Sequence, residues 1–114
     1  MSEIQLQAAC FKWAWNTFPE TRYLFFSVPN EGNRSLILSQ QLKASGLISG
    51  IPDMILIRKY STFGFEFKDG KKGKTSKNQD KVHEVWAENG LNVYIIRNFT
   101  EFQGIFTEIM NYER

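Results

Sequence analysis

The sequence predicts a layered α/β domain, a mixed β-sheet of about four strands flanked by helices. Three observations carry this. Helix-like and strand-like runs interleave along the 114 residues, three hydroxyl-x-x-Gln pairs mark helix starts, and two neighbouring strand runs are joined by a link short enough for a hairpin.

In chain order, Ser2-x-x-Gln5 places a hydroxyl at an N-cap and an amide three residues on, each able to satisfy an orphan backbone N–H. It opens a helix of about Glu3 to Phe18, in which Ile4, Ala8, Phe11 and Trp15 recur at helical spacing as the expected buried stripe. YLFFSV, Tyr23 to Val28, is rich in aromatic residues and bounded by turn formers, so it reads as a strand. A weaker helix fits between Arg34 and Ala44, where Gly46 would stop it. MILIR follows Pro52-Asp53 as a second strand. FGFEFK, Phe63 to Lys68, alternates without a break, placing Phe63, Phe65 and Phe67 on one face and Gly64, Glu66 and Lys68 on the other. Ser76-x-x-Gln79 opens a helix of about Lys77 to Glu88, with Val82, Val85 and Trp86 inward and Gly90 past its end. NVYIIR, Asn92 to Arg97, is the last strand. Thr100-x-x-Gln103 caps a final helix of about Glu101 to Tyr112, with Phe102, Ile105, Phe106, Ile109 and Met110 on one side.

Composition excludes several classes. Hydrophobic residues are 42% and aromatics 15%, enough for residues 1–114 to form one domain with its own core and too many for a disordered chain. The longest uninterrupted apolar run, Met54 to Ile57, is far short of a membrane span, and MSEIQLQ lacks the regions of a signal peptide. A soluble, cytoplasmic protein (host cytoplasm if viral) with no membrane partner is expected. Cys10 is alone, which rules out an intramolecular disulfide or a cysteine-based zinc site and leaves the role of a small buried hydrophobe. Net charge is only +2. Between Lys68 and Lys81, however, six lysines stand against Asp69 and Asp80, a local balance of +4. Taken alone, such a run reads as a solvated turn.

The stretch FEFKDGKKGKTSK, Phe65 to Lys77, ends in half of a phosphate-binding loop. A full loop, G-x-x-x-x-G-K-[ST], needs its first glycine at position 68, which is Lys68, so ATP is not expected as a partner. Stronger chemistry lies upstream. Asp53 precedes one strand, and Glu66 and Lys68 project to one face of the next. Two carboxylates hold a hard divalent cation through oxygen, typically Mg²⁺ at ~2.0–2.1 Å. A lysine beside them can orient or help deprotonate an attacking water, or stabilise charge in the transition state of phosphodiester hydrolysis. For Asp53 to face Glu66, a regular hairpin must centre its turn between Lys59 and Tyr60. The better turn formers, Ser61, Thr62 and Gly64, come later, so a stagger or bulge is expected to bring Asp53 forward.

GIPDMILI, then FEFK, then SKNQ on a following helix, preceded by PNEGNR and a G-L-x-x-G turn, resembles the VRR-NUC (virus-type replication-repair nuclease) domain, a branch of the PD-(D/E)XK nuclease superfamily. The resemblance runs from the first helix through about Arg97. It implies a restriction-endonuclease-like core and a Mg²⁺- or Mn²⁺-dependent DNA nuclease. By that resemblance Asp53 and Glu66 are metal ligands, the backbone carbonyl of Phe67 is a third, Lys68 is the catalytic lysine, and Gln79 lies beside the metal. It further offers Glu3 as an acidic ligand from the first helix, against a plain reading as a favourable acid in a first turn. Glu31 falls in the family's turn before the inserted helix, where Asn30 and Arg34 are candidate substrate contacts. His83, one turn after Gln79, is given no catalytic role.

Lys71, Lys72, Lys74 and Lys77 then follow the catalytic lysine on a glycine-containing loop, where cations supply phosphate contacts without sequence readout. So small a chain has no evident recognition module, which favours recognition of DNA shape. The family's short standalone members imply a homodimer that cleaves four-way (Holliday) junctions, and the broad apolar face of the last helix, Phe102, Phe106, Ile109 and Tyr112, is a candidate dimer surface. A nuclease of the same fold acting on flaps, ends or single strands, and a noncatalytic DNA-binding module, are the alternatives.

Overall fold

A computed structural model describes residues 1–29, 35–70 and 73–112. Its elements are α1 (Glu3–Thr17), β1 (Phe25–Ser27), α2 (Leu36–Ala44), β2 (Met54–Ile57), β3 (Thr62–Phe67), α3 (Lys77–Glu88), β4 (Asn92–Ile96) and α4 (Phe99–Tyr112), with a short 3-10 turn at Pro19–Thr21. This is the order the sequence implies. The four strands form one mixed sheet in the order β1-β2-β3-β4. β1 with β2 and β2 with β3 are antiparallel, while β3 and β4, joined through α3, are parallel.

Local chemistry sets the boundaries. Ser2 and Ser76 each form a reciprocal capping box, with Gln5 and Gln79 respectively. Helix α3 ends as its glycine predicts: Gly90 takes φ +85°, and the amides of Gly90 and Leu91 reach back to the carbonyls of Ala87 and Trp86. At α4 the expected cap is displaced. Asn98 Oδ1 accepts the Glu101 amide at 2.8 Å, so the helix begins at Phe99 and Thr100 lies inside it. An asparagine leaving a strand caps at least as well as a threonine two residues on.

The hairpin register needs no bulge. Met54 pairs with Phe65, Leu56 with Phe63 and Ile57 with Thr62, and the Arg58 amide donates to the Ser61 carbonyl at 2.8 Å. Lys59 and Tyr60 are therefore the turn itself. The same register carried one step back sets Asp53 opposite Glu66.

Helices α1 and α4 cover the face of the sheet that carries Phe63, Phe65 and Phe67. The Phe65 ring lies 5.7 Å from Phe25, 5.4 Å from Phe102 and 5.7 Å from Tyr94. Trp86 of α3 approaches the opposite face at Gly64, where a methyl group would sit 2.9 Å from Pro52 and 3.3 Å from the Trp86 ring. Val82 and Trp86 are half-buried as expected, whereas Val85 is exposed.

Two expected faces are corrected. Helix α1 buries Leu6, Cys10 and Ala14, not the stripe through Ile4, Ala8, Phe11 and Trp15; Ile4 is 69% exposed. The helix is apolar on both sides, so periodicity alone could not choose the side turned to the sheet. On α4, Phe102, Phe106, Ile109 and Met110 are buried within the chain and Tyr112 is exposed, which leaves this face no apolar surplus for a partner.

Candidate active site

The pairing of β2 with β3 brings Asp53 and Glu66 to the same end of the sheet. Asp53 is fixed twice: its carbonyl accepts the Val28 amide at 2.8 Å, extending the β1–β2 ladder, and its Oδ2 accepts the Phe67 amide at 2.8 Å. Glu66 is only 3% exposed. Its carboxyl is pushed up to about 8, first by burial, then by contact with Asp53 and by that residue's charge; Lys68 pulls in the opposite direction and Glu3 adds a little. Glu66 Oε1 is buried with no hydrogen-bond partner, while Oε2 lies 3.9 Å from Lys68 Nζ. An ordinary strand presents its polar face to water, and this one does not.

Lys68 is 9% exposed. Its Nζ donates to Gln79 Oε1 at 3.0 Å, and the same oxygen accepts the Ser76 amide at 2.9 Å. Gln79 thus both closes the start of α3 and holds the lysine. The turn ahead of β2 is pressed onto α3: Gly50 has φ +94°, a Cβ there would lie 2.6 Å from the Asn78 carbonyl oxygen, and Asn78 Nδ2 donates to Ser49 Oγ at 3.2 Å. Only glycine fits that approach.

These residues line a cleft of about 540 Å³ together with Glu3, Gln7, Ser27, Phe67, Lys74 and others. Glu3 enters from the first turn of α1, where its charge acts on Glu66. Lys74 reaches the cleft and Lys77 sits exposed at the start of α3. Asn30, Glu31, Arg34, Lys71 and Lys72 lie outside the described residues. His83 stands apart from the cleft lining; burial lowers its pKa, and its Nε2 is buried without a hydrogen-bond partner.

Three contributors escaped the sequence reading. Gln7 lies one turn after Glu3, so helical spacing could have found it. Ser27 needed the strand register, and it is joined to Gln7 by a 3.3 Å hydrogen bond. Arg97 needed the parallel pairing of β4 with β3; its Nη1 donates to the carbonyls of Gly70 at 2.8 Å and Gly73 at 2.6 Å.

The donor set suits a hard cation. No group of three or more His, Cys, Asp or Glu converges among the described residues. Mg²⁺, however, commonly uses one or two carboxylates and keeps its remaining positions for water and phosphate oxygens. Asp53 and Glu66 fit that pattern, and the unpartnered buried oxygen of Glu66 is the atom such an ion would satisfy.

No protein-family model and no curated protein matches this chain. Among solved structures, one described as "VRR_NUC domain protein" superposes with a TM-score of 0.79 at 15% identity, covering 95% of this chain and 87% of that one. The chain adopts the VRR_NUC fold. A second structure, "VRR_NUC domain", superposes with a TM-score of 0.56 at 18% identity over 88% of this chain and 92% of the other. The mixed sheet and flanking helices expected from the sequence are thus the architecture of VRR_NUC domains.

Proposed function

We propose that this chain is a metal-dependent, structure-selective DNA endonuclease that hydrolyses phosphodiester bonds and acts as a homodimer on four-way junctions. The observation that carries this reading is the convergence of Asp53, Glu66 and a Gln79-anchored Lys68 in one cleft. Asp53 and Glu66, with the Phe67 backbone carbonyl and Glu3 as further oxygen donors, would hold Mg²⁺ or Mn²⁺. When bound, such an ion supplies Lewis acidity toward a phosphate oxygen and lowers the pKa of a bound water.

The chain's own groups do the rest. The Phe67 amide fixes the Asp53 carboxylate, so one ligand is preorganised before any ion arrives. Gln79 aims the Lys68 ammonium across the cleft, where it can hydrogen-bond a phosphate oxygen or the attacking water. Lys74, with Lys71, Lys72 and Lys77, supplies phosphate contacts at the rim; Asn30 and Arg34 are proposed to contact DNA from the segment before α2. Such contacts position a backbone without reading sequence. Gly50 and the Arg97 clamp keep both sides of the cleft in register.

A dimer is favoured by α2, not by α4. Helix α2 buries no residue, and Leu36, Ile37, Leu38 and nearby Ile48 are exposed, a surface that a second copy would cover. Cleavage of a labelled four-way junction against matched linear duplex, in Mg²⁺, tests the proposal. Wild-type protein is expected to cut the junction preferentially, and Asp53→Ala, Glu66→Ala and Lys68→Ala are expected to abolish cutting. Junction cleavage by any of the three at the wild-type rate would refute the assignment. Flap, nicked and single-stranded substrates separate the junction preference from other structure-selective activities.

A further inference from the structure

The α1 stripe that is not fully buried carries two aromatic rings, Phe11 and Trp15, both half-buried, and it does not face open water alone. Ile4, Ala8, Phe11 and Trp15 form one wall of a groove of about 390 Å³, with Tyr23, Phe25, Phe26 and Met54 among the others. That size lies within the roughly 300–1,000 Å³ of clefts that hold small molecules. Ile4, Gln7 and Ser27 line both this groove and the acidic cleft, so the two adjoin and share a wall at the Gln7–Ser27 hydrogen bond. Along the sheet, Phe26 pairs with Ile55, two residues beyond Asp53 and about 7 Å away at the strand rise.

The groove's rim is built for display. Tyr23 is 87% exposed and takes φ +69°, a conformation that tyrosine rarely adopts. Its ring stands edge-on to Trp15 at 5.9 Å. The Arg22 guanidinium lies 4.9 Å from the centroid of the Trp15 ring and donates from Nε to the Trp15 carbonyl, setting a cation at the groove's edge. At the other end, where groove meets cleft, Gln7 and Ser27 supply hydrogen-bonding groups.

We infer that the groove between α1 and β1 takes an unpaired nucleobase of the DNA strand whose phosphate lies at Asp53 and Glu66. This rests on the nuclease reading of that cleft. Aromatic faces stack on any base, a cation at the rim suits the adjoining phosphate, and the wall shared with the cleft places the occupant next to the strand being cut. The substrate class is then DNA with unstacked nucleotides beside the scissile bond, as at a branch point. Regular duplex keeps its bases paired and cannot fill the groove.

Two junction probes test this in chelator, where no cutting occurs: one with natural bases at the branch, one with abasic residues there, both followed by fluorescence anisotropy. Wild-type protein is expected to bind the base-bearing probe about tenfold or more tightly than the abasic one. Tyr23→Ala is expected to bring the two affinities together, and Tyr23→Phe to restore the difference. Because Tyr23 is so exposed, neither variant threatens the fold. Equal wild-type affinities, or discrimination that survives Tyr23→Ala, would overturn the inference. So would a change in sedimentation of Tyr23→Ala with discrimination intact, which would assign the groove to a second copy of the chain. Cleavage of the base-bearing probe by wild-type protein in Mg²⁺ is read separately. Discrimination without cleavage would support base binding and refute the nuclease reading, while cleavage without discrimination would do the reverse.

Discussion

The two faces of β3 and the residue after it are buried to nearly the same depth and for opposite reasons. On one face Phe65 and Phe67 are 0% and 1% exposed among aromatic rings from β1, β4 and α4; burial there is favourable in itself. On the other, Glu66 and Lys68 are removed from water with incomplete compensation, since Glu66 Oε1 has no partner and the Lys68–Glu66 contact is long. Burying such groups opposes folding. The apolar face therefore anchors a strand whose polar groups are held away from water, and the proposed chemistry would lie on the face that costs stability.

The largest effects should separate the faces. Glu66→Ala and Lys68→Ala are expected to lower junction cleavage by on the order of 10³-fold, with thermal unfolding close to wild type. Phe65→Ala should do the reverse. Removing that ring is expected to cost about 3–5 kcal/mol in denaturant unfolding, while the cleavage rate per folded molecule changes little. A Glu66 variant that unfolds, or a Phe65 variant that folds normally but does not cut, would break the distinction.

A smaller change sharpens it. Gly64 lies on the polar face, and a methyl group there meets Pro52 and the Trp86 ring. Gly64→Ala is expected to cost about 1–3 kcal/mol by overpacking, measured by denaturant midpoint, and so to show that α3 is seated on β3 through an absent side chain.

A last test of the polar face is a pH dependence. With its carboxyl raised from the ordinary 4.5 to about 8, Glu66 binds protons more readily in the folded chain than in the unfolded one. In chelator its influence thus favours folding most at acid pH and weakens as pH rises through that window, by at most about 1.4 kcal/mol per pH unit. Glu66→Gln is expected to flatten this decline, so that above pH 8 the variant melts higher than wild type. Parallel pH profiles for the two proteins would mean that burial does not strain Glu66.

Much of this was legible in the chain itself. The extent of α3, read as Lys77 to Glu88, is the observed helix, because both its ends carry strong local signals, a capping box and a terminating glycine. Asp53, Glu66, Lys68 and Gln79 were legible as a motif, and the alternation of FGFEFK put Glu66 and Lys68 on one side. Less legible was the hairpin turn. Lys59 and Tyr60 are poor turn formers, and their place was set by strand pairing on either side. The cap of α4 was misread because Asn98 and Thr100 are both competent, and the end of β4 decided between them.

Periodicity, capping and alternation are local, and by them the sequence determined the order of the elements, the mixed sheet and the residues on each face of β3. Three things belonged to the tertiary structure: which of two apolar stripes of α1 meets the core, how completely Glu66 is withdrawn from water, and the hydrogen bonds from Arg97 to Gly70 and Gly73. Each depends on what a distant segment places opposite. A helix apolar on both sides turns to the sheet whichever stripe fits α4 and β3, and a carboxylate is buried or solvated according to its neighbours, not its own side chain.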